Sequence, residues 1–315
     1  MNAMRRHTEN KTVLVTRKTR LENLVAQYNT VGQAKFYIEH LGADFSDYLV
    51  EHDTYQRCVR EAETTLQQLS RVQVVERAFL PNFLFGPQDV VVALGQDGLV
   101  ANTLKYLDGQ PLIGVNPDPK RWDGVLLPFG VADLARIVAQ VFAGRRQIQE
   151  VTMAKVALNN GQTLYGVNDI FIGPKSHTSA RYTICLDEAQ EQQSSSGVIV
   201  STGLGSTGWL KSLLTGASAI AAQATPGGAA RAPAPPAPWD ADYLYFTVRE
   251  PFPSRTSAAS LVFGKISAGS CLTLTSQMAE NGVIFSDGIE ADYLEFNSGI
   301  VARLGPAEKK GLLVV

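Results

Sequence analysis

Residues Asp89–Asn102 read DVVVALGQDGLVAN. Four apolar residues and Leu94 make a run rich in β-branched side chains, and it stops at Gly95-Gln96-Asp97-Gly98 before a helical pattern begins. Such a strand delivers a carboxylate, Asp97, and two glycines to a turn that opens a helix. Glycine permits positive φ and close backbone approach, and amides at a helix start can hold phosphate. The same letters also suit a plain strand-to-helix turn, since Asp-Gly is general turn chemistry.

Around this turn, strands and helices alternate. Apolar β-type runs occur at Thr12–Val15, Val72–Ala78, Val90–Leu94 and Leu112–Val115. Helical spacing occurs at Leu21–Leu41, Asp53–Ser70, Leu99–Leu107 and Val131–Phe142. Alternation of this kind predicts an α/β domain with a mainly parallel sheet, whose ligands sit beyond the carboxyl ends of the strands. Gly95–Gly98 lies at such an end.

The rhythm changes after about residue 145. Val151–Leu158, Leu164–Ile172, Ala180–Leu186, Gly197–Ser201, Leu244–Val248, Ser260–Phe263, Cys271–Thr275 and Gly282–Phe285 are all β-like and separated by turn residues. They predict a β-rich, antiparallel, sandwich-like second domain. The expected division is an α/β domain over residues 1–145, to which residues 290–315 return, and a β-rich domain over 146–289. Between Ala217 and Pro238 the composition narrows to Ala, Pro and Gly, which predicts a loop, because Pro233, Pro235, Pro236 and Pro238 suit neither helix interior nor central strand.

The chain has 315 residues, is 45% hydrophobic and carries a formal charge of −2, with no basic excess to favour nucleic acid or an anionic membrane. Its three cysteines, Cys58, Cys185 and Cys271, are widely spaced and form no C-x-x-C pair. That pattern supports neither a disulfide framework nor a zinc site. No run approaches the length of a membrane span. A cytoplasmic setting is expected, with an organellar matrix left open by Arg5, Arg6 and Arg17 near the start.

Gly203, Gly205 and Gly208 spell G-x-G-x-x-G, but the acidic residue that should follow about twenty positions later is absent and the surrounding strands are not βαβ. A P-loop fails as well, because Lys211 does not directly follow Gly208. What remains is Ser201–Gly208, a strand end dense in hydroxyls and glycines, suited to hydrogen-bonding a polar or phosphorylated group. Asn168 beside Asp169 is unusual inside an apolar β run, because a buried amide and carboxylate need partners. A ligand or a turn backbone could supply them. Histidines His40, His52 and His177 are scattered and make no hydrolase triad.

In combination these stretches resemble the NAD kinase family. Gly95-Gln-Asp-Gly-Leu99 is similar to its G-G-D-G-T motif, Val167-Asn168-Asp169 to its Asn-Glu motif, and Val200–Gly208 to its V-S-T-P-T-G-S-T-A loop. The mitochondrial-type branch offers counterparts, in the same order, for the segments starting at Ile113, Asn168, Ser195 and Val248. The resemblance runs from Lys11 to the C-terminus.

It implies an NAD kinase-like fold and an enzyme that uses ATP, with Mg²⁺, to phosphorylate the 2′-hydroxyl of the adenosine ribose of NAD, giving NADP. Asp97 would be the general base, with Gly95 and Gly98 near phosphates. Asn168 would bond the adenine and Asp169 the nucleotide sugar, while Thr202, Ser206 and Thr207 line the NAD pocket. No residue is assigned as a metal ligand, the partners are the two nucleotides, and a homodimer is expected. The chain departs from the family pattern at Gln96, Leu99, Asp169, Gly203 and Gly208, where glycine, threonine, glutamate, proline and alanine are usual. Those departures keep two alternatives open: a nucleotide-binding relative with weak or no turnover, and a kinase for a sugar or lipid hydroxyl.

Overall fold

The computed structural model describes residues 11–224 and 236–315. They form two compact units, one of Met1–Gln149 with Leu312–Val315 and one of Glu150–Gly311. Among the described residues no helix is long and apolar enough to cross a membrane.

The first unit contains β1 (Lys11–Thr16), α1 (Arg20–Tyr28), α2 (Val31–His40), α3 (Ser46–Leu69), β2 (Arg71–Glu76), β3 (Val90–Leu94), α4 (Asp97–Leu104), β4 (Pro111–Val115) and α5 (Leu134–Phe142). Its strands run parallel in the order β2-β1-β3-β4. All five residues of β3 are buried, as expected for a central parallel strand covered on both faces. Leu14, Val92 and Ile113 from the sheet pack with Leu66 of α3 and Ile137 of α5. The helix predicted over Leu21–Leu41 is two helices. Asn29 takes φ 67°, and Thr30 caps α2 through the Gln33 N–H, so one apolar pattern bends into a hairpin.

The second unit is a sandwich of antiparallel strands. It holds most of β5 (Ile148–Leu158), then β6 (Thr163–Gly166), β7 (Asp169–Pro174), β8 (Ala180–Leu186), β9 (Ala189–Ser195), β10 (Val198–Ser201), α6 (Trp209–Ala224), β11 (Tyr243–Val248), β12 (Phe263–Ser267), β13 (Leu272–Ser276), β14 (Gly282–Ser286) and β15 (Ile289–Glu295). Last comes β16 (Val301–Val314), which begins antiparallel to β13 and ends with Leu312 and Leu313 parallel to Pro111 and Leu112 of β4. One layer carries β16-β13-β8-β9 with β5 and β6, the other β12-β11-β10-β7-β14-β15. Tyr182, Ile184 and Leu274 from the first layer interdigitate with Ile172, Val200 and Phe246 from the second. The outer face of the second layer is covered by α6, whose Trp209 and Leu213 pack on Phe171, Ile199 and Val283.

Three expectations need correction. Leu164–Ile172 is not one strand, because β6 and β7 belong to different layers and Val167-Asn168 is the corner between them. Residues 217–224 are helical, the last half of α6, and the remainder of the expected loop up to residue 235 lies outside the described residues. The return to the first unit is confined to Leu312–Val315, since β15 pairs with β14 inside the second unit.

Candidate functional site

In the first unit the Gly95–Gly98 turn joins β3 to α4. The Gly95 N–H donates to the Val115 carbonyl at 3.1 Å, prolonging the β3–β4 ladder by one bond. Asp97 is the first residue of α4 and half-buried; its Oδ1 accepts the Leu126 N–H at 2.7 Å and its Oδ2 the Val125 N–H at 3.2 Å. The carboxylate therefore clamps the loop that follows β4. That loop closes over Gly114, where a Cβ would lie 1.9 Å from the Leu126 carbonyl oxygen. A carboxylate offers about four acceptor positions, so two remain for a ligand.

Neither Gly95 nor Gly98 adopts positive φ, which corrects the conformational reason given for them. Gly95 is required for space: a Cβ there would lie 2.8 Å from Leu99 Cδ2, and Leu99 is a core side chain at 3% exposure. Gly98 faces open space and solvent, leaving the helix start accessible.

Sequence reasoning did not place Arg17, the residue after β1, at the site. Its backbone N–H donates to the Tyr55 hydroxyl, which donates to the Leu94 carbonyl, each at 2.9 Å, so the ends of β1 and β3 are tied through α3. The guanidinium bonds Glu51 at 3.0 Å, while its Nε is closed to solvent with no hydrogen-bond partner among the described residues. A Cβ on Gly95 would lie 3.7 Å from Arg17 Cδ. The guanidinium thus stands beside the turn already paired with Glu51, and it also donates to the Lys18 carbonyl at 3.0 Å.

The second unit assembles the other candidates around the Val167–Asp169 corner. Asp287, at the β14–β15 turn with φ 55°, accepts the N–H of Val167 at 3.0 Å, of Asn168 at 2.6 Å and of Asp169 at 3.3 Å on one carboxylate oxygen. Its own N–H donates to the Asp169 carbonyl at 2.9 Å. The only sequence signal for it was an Asp-Gly pair between two β runs, which by itself means a hairpin turn. On the other side, the Thr202 N–H donates to the Asn168 carbonyl at 2.9 Å, and the Thr202 hydroxyl donates to the Val167 carbonyl at 2.6 Å. Gly205 must be glycine here, because a Cβ would lie 2.1 Å from the Asn168 oxygen.

The hydroxyls of the 201–208 loop are spent inside the protein. Thr202 accepts the Gly205 N–H at 3.1 Å, and Ser206 donates to the Gly203 carbonyl at 2.6 Å while accepting the Ala237 N–H at 3.1 Å. Thr207 is exposed and donates to the Leu204 carbonyl at 3.3 Å. A Cβ at residue 203 would lie 1.8 Å from the Pro238 oxygen. Gly203 is therefore dictated by the close approach of the segment after α6.

Two groups at the corner remain unspent. The side-chain amide of Asn168 makes no hydrogen bond to a described residue, and Asp169 Oδ1 is sealed from solvent without a partner. Burial pushes the Asp169 carboxyl up to about 7; the Ser201 hydroxyl draws it back in part, and the nearby Asp287 adds to the rise. At neutral pH it stands near half-protonation, able to donate or to accept. No group of three acidic, histidine or cysteine side chains fit to hold a metal occurs among the described residues.

No protein-family model and no curated protein sequence matches the chain. Among solved structures it is similar to yeast NADH kinase complexed with NADH, at 15% identity and a TM-score of 0.56, covering 98% of this chain and 84% of that one. It is likewise similar to an NAD kinase from Archaeoglobus fulgidus in complex with ATP, at 15% identity and a TM-score of 0.54, covering 97% and 93%. At that identity the likeness is one of fold, and the fold of this chain is that of the NAD kinases.

Proposed function

We propose that the chain is an ATP-dependent NAD kinase that phosphorylates the 2′-hydroxyl of the adenosine ribose. The observation that carries the reading is the Asn168–Asp169 corner. There a free amide and a carboxyl with an unpartnered oxygen stand side by side, held by Asp287 and Thr202, in a neighbourhood where the other polar groups are spent. An amide both donates and accepts, which suits an adenine edge, and a carboxylate accepts from sugar hydroxyls. The fold it shares with structures of an NADH complex and an ATP complex supports nucleotides as the two substrates.

In this reading Asn168 takes the adenine and Asp169 the ribose, and the Thr202 and Ser206 hydroxyls act one step back by fixing the loop. Thr207, exposed beside them, donates to the Leu204 carbonyl and keeps its oxygen as an acceptor for NAD. Asp97 accepts the proton of the 2′-hydroxyl as the new P–O bond forms. Such a weak acid need not be ionised beforehand, and phosphoryl transfer asks chiefly for positioning and charge neutralisation. The main-chain amides of Gln96–Gly98 at the start of α4 supply part of that neutralisation. Among the described residues no group of side chains forms a Mg²⁺ cage; in this reading the ion arrives with ATP, which commonly needs only one or two protein carboxylates besides its phosphates.

The deciding experiment incubates the purified chain with ATP, Mg²⁺ and NAD and reads NADP⁺ with a coupled NADP-specific dehydrogenase. Turnover that disappears in Asp97→Asn supports the reading. No NADP⁺, with NAD still raising the melting temperature, replaces it by a nucleotide-binding protein without turnover. Neither turnover nor a shift rejects both.

A further inference from the structure

The first unit carries, on one stripe of α3, a set of polar groups that frames the Gly95–Gly98 turn from outside. Asp47, Glu51, Tyr55 and Cys58 follow one another at helical spacing and so share a face. A core-facing helix stripe is normally apolar, yet this one holds two carboxylates, and Glu51 is only 4% exposed.

Each group grips a segment beside the turn. Tyr55 holds the Leu94 carbonyl at the end of β3, and the Cys58 thiol donates to the Pro117 carbonyl at 3.3 Å, at the start of the loop after β4. Glu51 accepts from Arg17 at 3.0 Å and from Arg20 Nε at 2.5 Å. Asp47 accepts from Arg20 at 2.6 Å and from Arg121, in the same loop as Pro117, at 2.5 and 3.0 Å, one bond to each carboxylate oxygen. A two-bond fork of this kind fixes direction as well as distance. Hydrogen bonds from Arg121 and Arg20 hold the Asp47 carboxyl well below the usual carboxylate range, so the pair stays charged in neutral and mildly acidic solution.

From Arg121 the grip passes to Asp97 through a short, braced segment. The Arg121 and Trp122 N–H groups both donate to the Asp118 carbonyl, at 3.0 and 3.1 Å, and the Asn116 side chain donates to the Trp122 carbonyl at 2.9 Å. Gly124 then turns the chain at φ 67°, and the next two N–H groups, of Val125 and Leu126, meet Oδ2 and Oδ1 of Asp97 at 3.2 and 2.7 Å. The Asp97 carboxylate is thus oriented by two amides whose loop is tied back to α3. An ion pair as exposed as Arg121 and Asp47 adds little to stability, so its consequence is the placement of that loop.

We infer that Arg121 and Asp47 are positioning residues for Asp97, acting through the Val125 and Leu126 amides. The inference takes its reaction from the kinase reading, but its first test does not. Hydrogen exchange of the full chain, read on the Val125 and Leu126 amides, should be about tenfold faster in Arg121→Gln than in wild type. In the coupled NADP⁺ assay, Arg121→Gln and Asp47→Ala should each lower kcat about 10- to 100-fold with the KM for NAD unchanged, because a displacement of about 1 Å at a reacting group costs that much. The double variant should fall no further than the worse single one, and Arg121→Gln should add nothing to Asp97→Asn, since all act through one carboxylate. If Arg121→Gln fails to fold, the half-exposed Asp47→Ala carries both measurements. Without wild-type turnover the kinase reading falls and exchange alone decides: faster exchange supports the inference. Unchanged exchange in a folded variant overturns it, because the packing of Leu126 over Gly114 would then place the amides unaided. With turnover present, an unchanged kcat, or a full further loss in the Asp97→Asn background, overturns it as well.

Discussion

Asp169→Asn isolates the most perturbed group at the candidate site. In the unfolded chain the carboxyl titrates near 3.8, and in the folded protein burial raises it to about 7. Between those pH values the native state holds a proton that the unfolded chain has released. Stability from this group is therefore fully present at the acid end of the window, falls as pH rises from about 4 to about 7, and is level above. For a fully sealed carboxyl the difference is at most about 4 kcal/mol. Asp169 as a whole is only half-buried, and water reaching one of its oxygens reduces the expected loss to about 1–2 kcal/mol. Asparagine keeps the shape of the protonated acid and cannot ionise.

Urea denaturation at pH 5 and pH 8 reads the effect. Wild type should lose stability relative to Asp169→Asn across that interval by about 1–2 kcal/mol, with the two proteins converging towards pH 4. Contributions common to both proteins cancel in the comparison. NAD affinity supplies an independent check. A carboxylate accepts ribose hydroxyls more strongly than a neutral acid does, so wild-type affinity should rise through pH 7 and that of the variant should stay flat. Parallel stability curves for wild type and Asp169→Asn between pH 5 and pH 8 would refute the reasoning, because they would mean that the native carboxyl is already ionised throughout.

Asp97→Asn should lower NADP⁺ formation by about 10²–10⁴-fold. Because Asp97 also receives the Val125 and Leu126 N–H groups, it should cost about 1–3 kcal/mol in a melt recorded beside the rate. Asn168→Ala should weaken NAD binding by about 1–3 kcal/mol in calorimetry and leave the melting temperature nearly unchanged, as its side-chain amide has no partner among the described residues to lose. Asp287→Ala releases three consecutive main-chain amides and should both destabilise the protein, by about 1–3 kcal/mol, and weaken NAD binding; an unaltered Kd would mean that the corner does not depend on it. Gln96→Gly restores the family-like turn without touching the core and should raise kcat if the turn limits phosphate approach, whereas Leu99→Thr empties a core position and should cost about 1–3 kcal/mol however kcat responds.

The parts of this molecule that were legible in its sequence are those in which local pattern and tertiary demand agree. Val90–Leu94 is buried on both faces, so its apolar run could be read directly, and the glycines that end it mark the turn whatever else the chain does. The corner at Val167-Asn168 was not legible, because the residue that breaks Leu164–Ile172 into two strands is Asp287, some 120 positions away. Helix α6 was hidden differently. Its alanines are the strongest helix formers, but they run without a polar face into a proline-rich stretch, and the contacts of Trp209, Leu210, Leu213 and Leu214 show which face is buried.

The same reasoning separates the departures from the family motif into two kinds. At Gly203 the Pro238 carbonyl occupies the space of any Cβ, so a residue other than glycine is excluded by the path of the chain after α6. Leu99 is likewise a packing choice, a core side chain seated against a glycine that has no room for anything larger. Neither change removes a group from the phosphate-facing surface without a structural reason. Gln96 differs: it is half-buried, makes no side-chain capping bond, and nothing in the structure explains it. Among the departures in the Gly95–Leu99 turn, Gln96 is the one to which altered turnover would be traced, with Asp97 next to it. Gln96→Gly alone, with the core left intact, is therefore the substitution on which the active and inactive readings part.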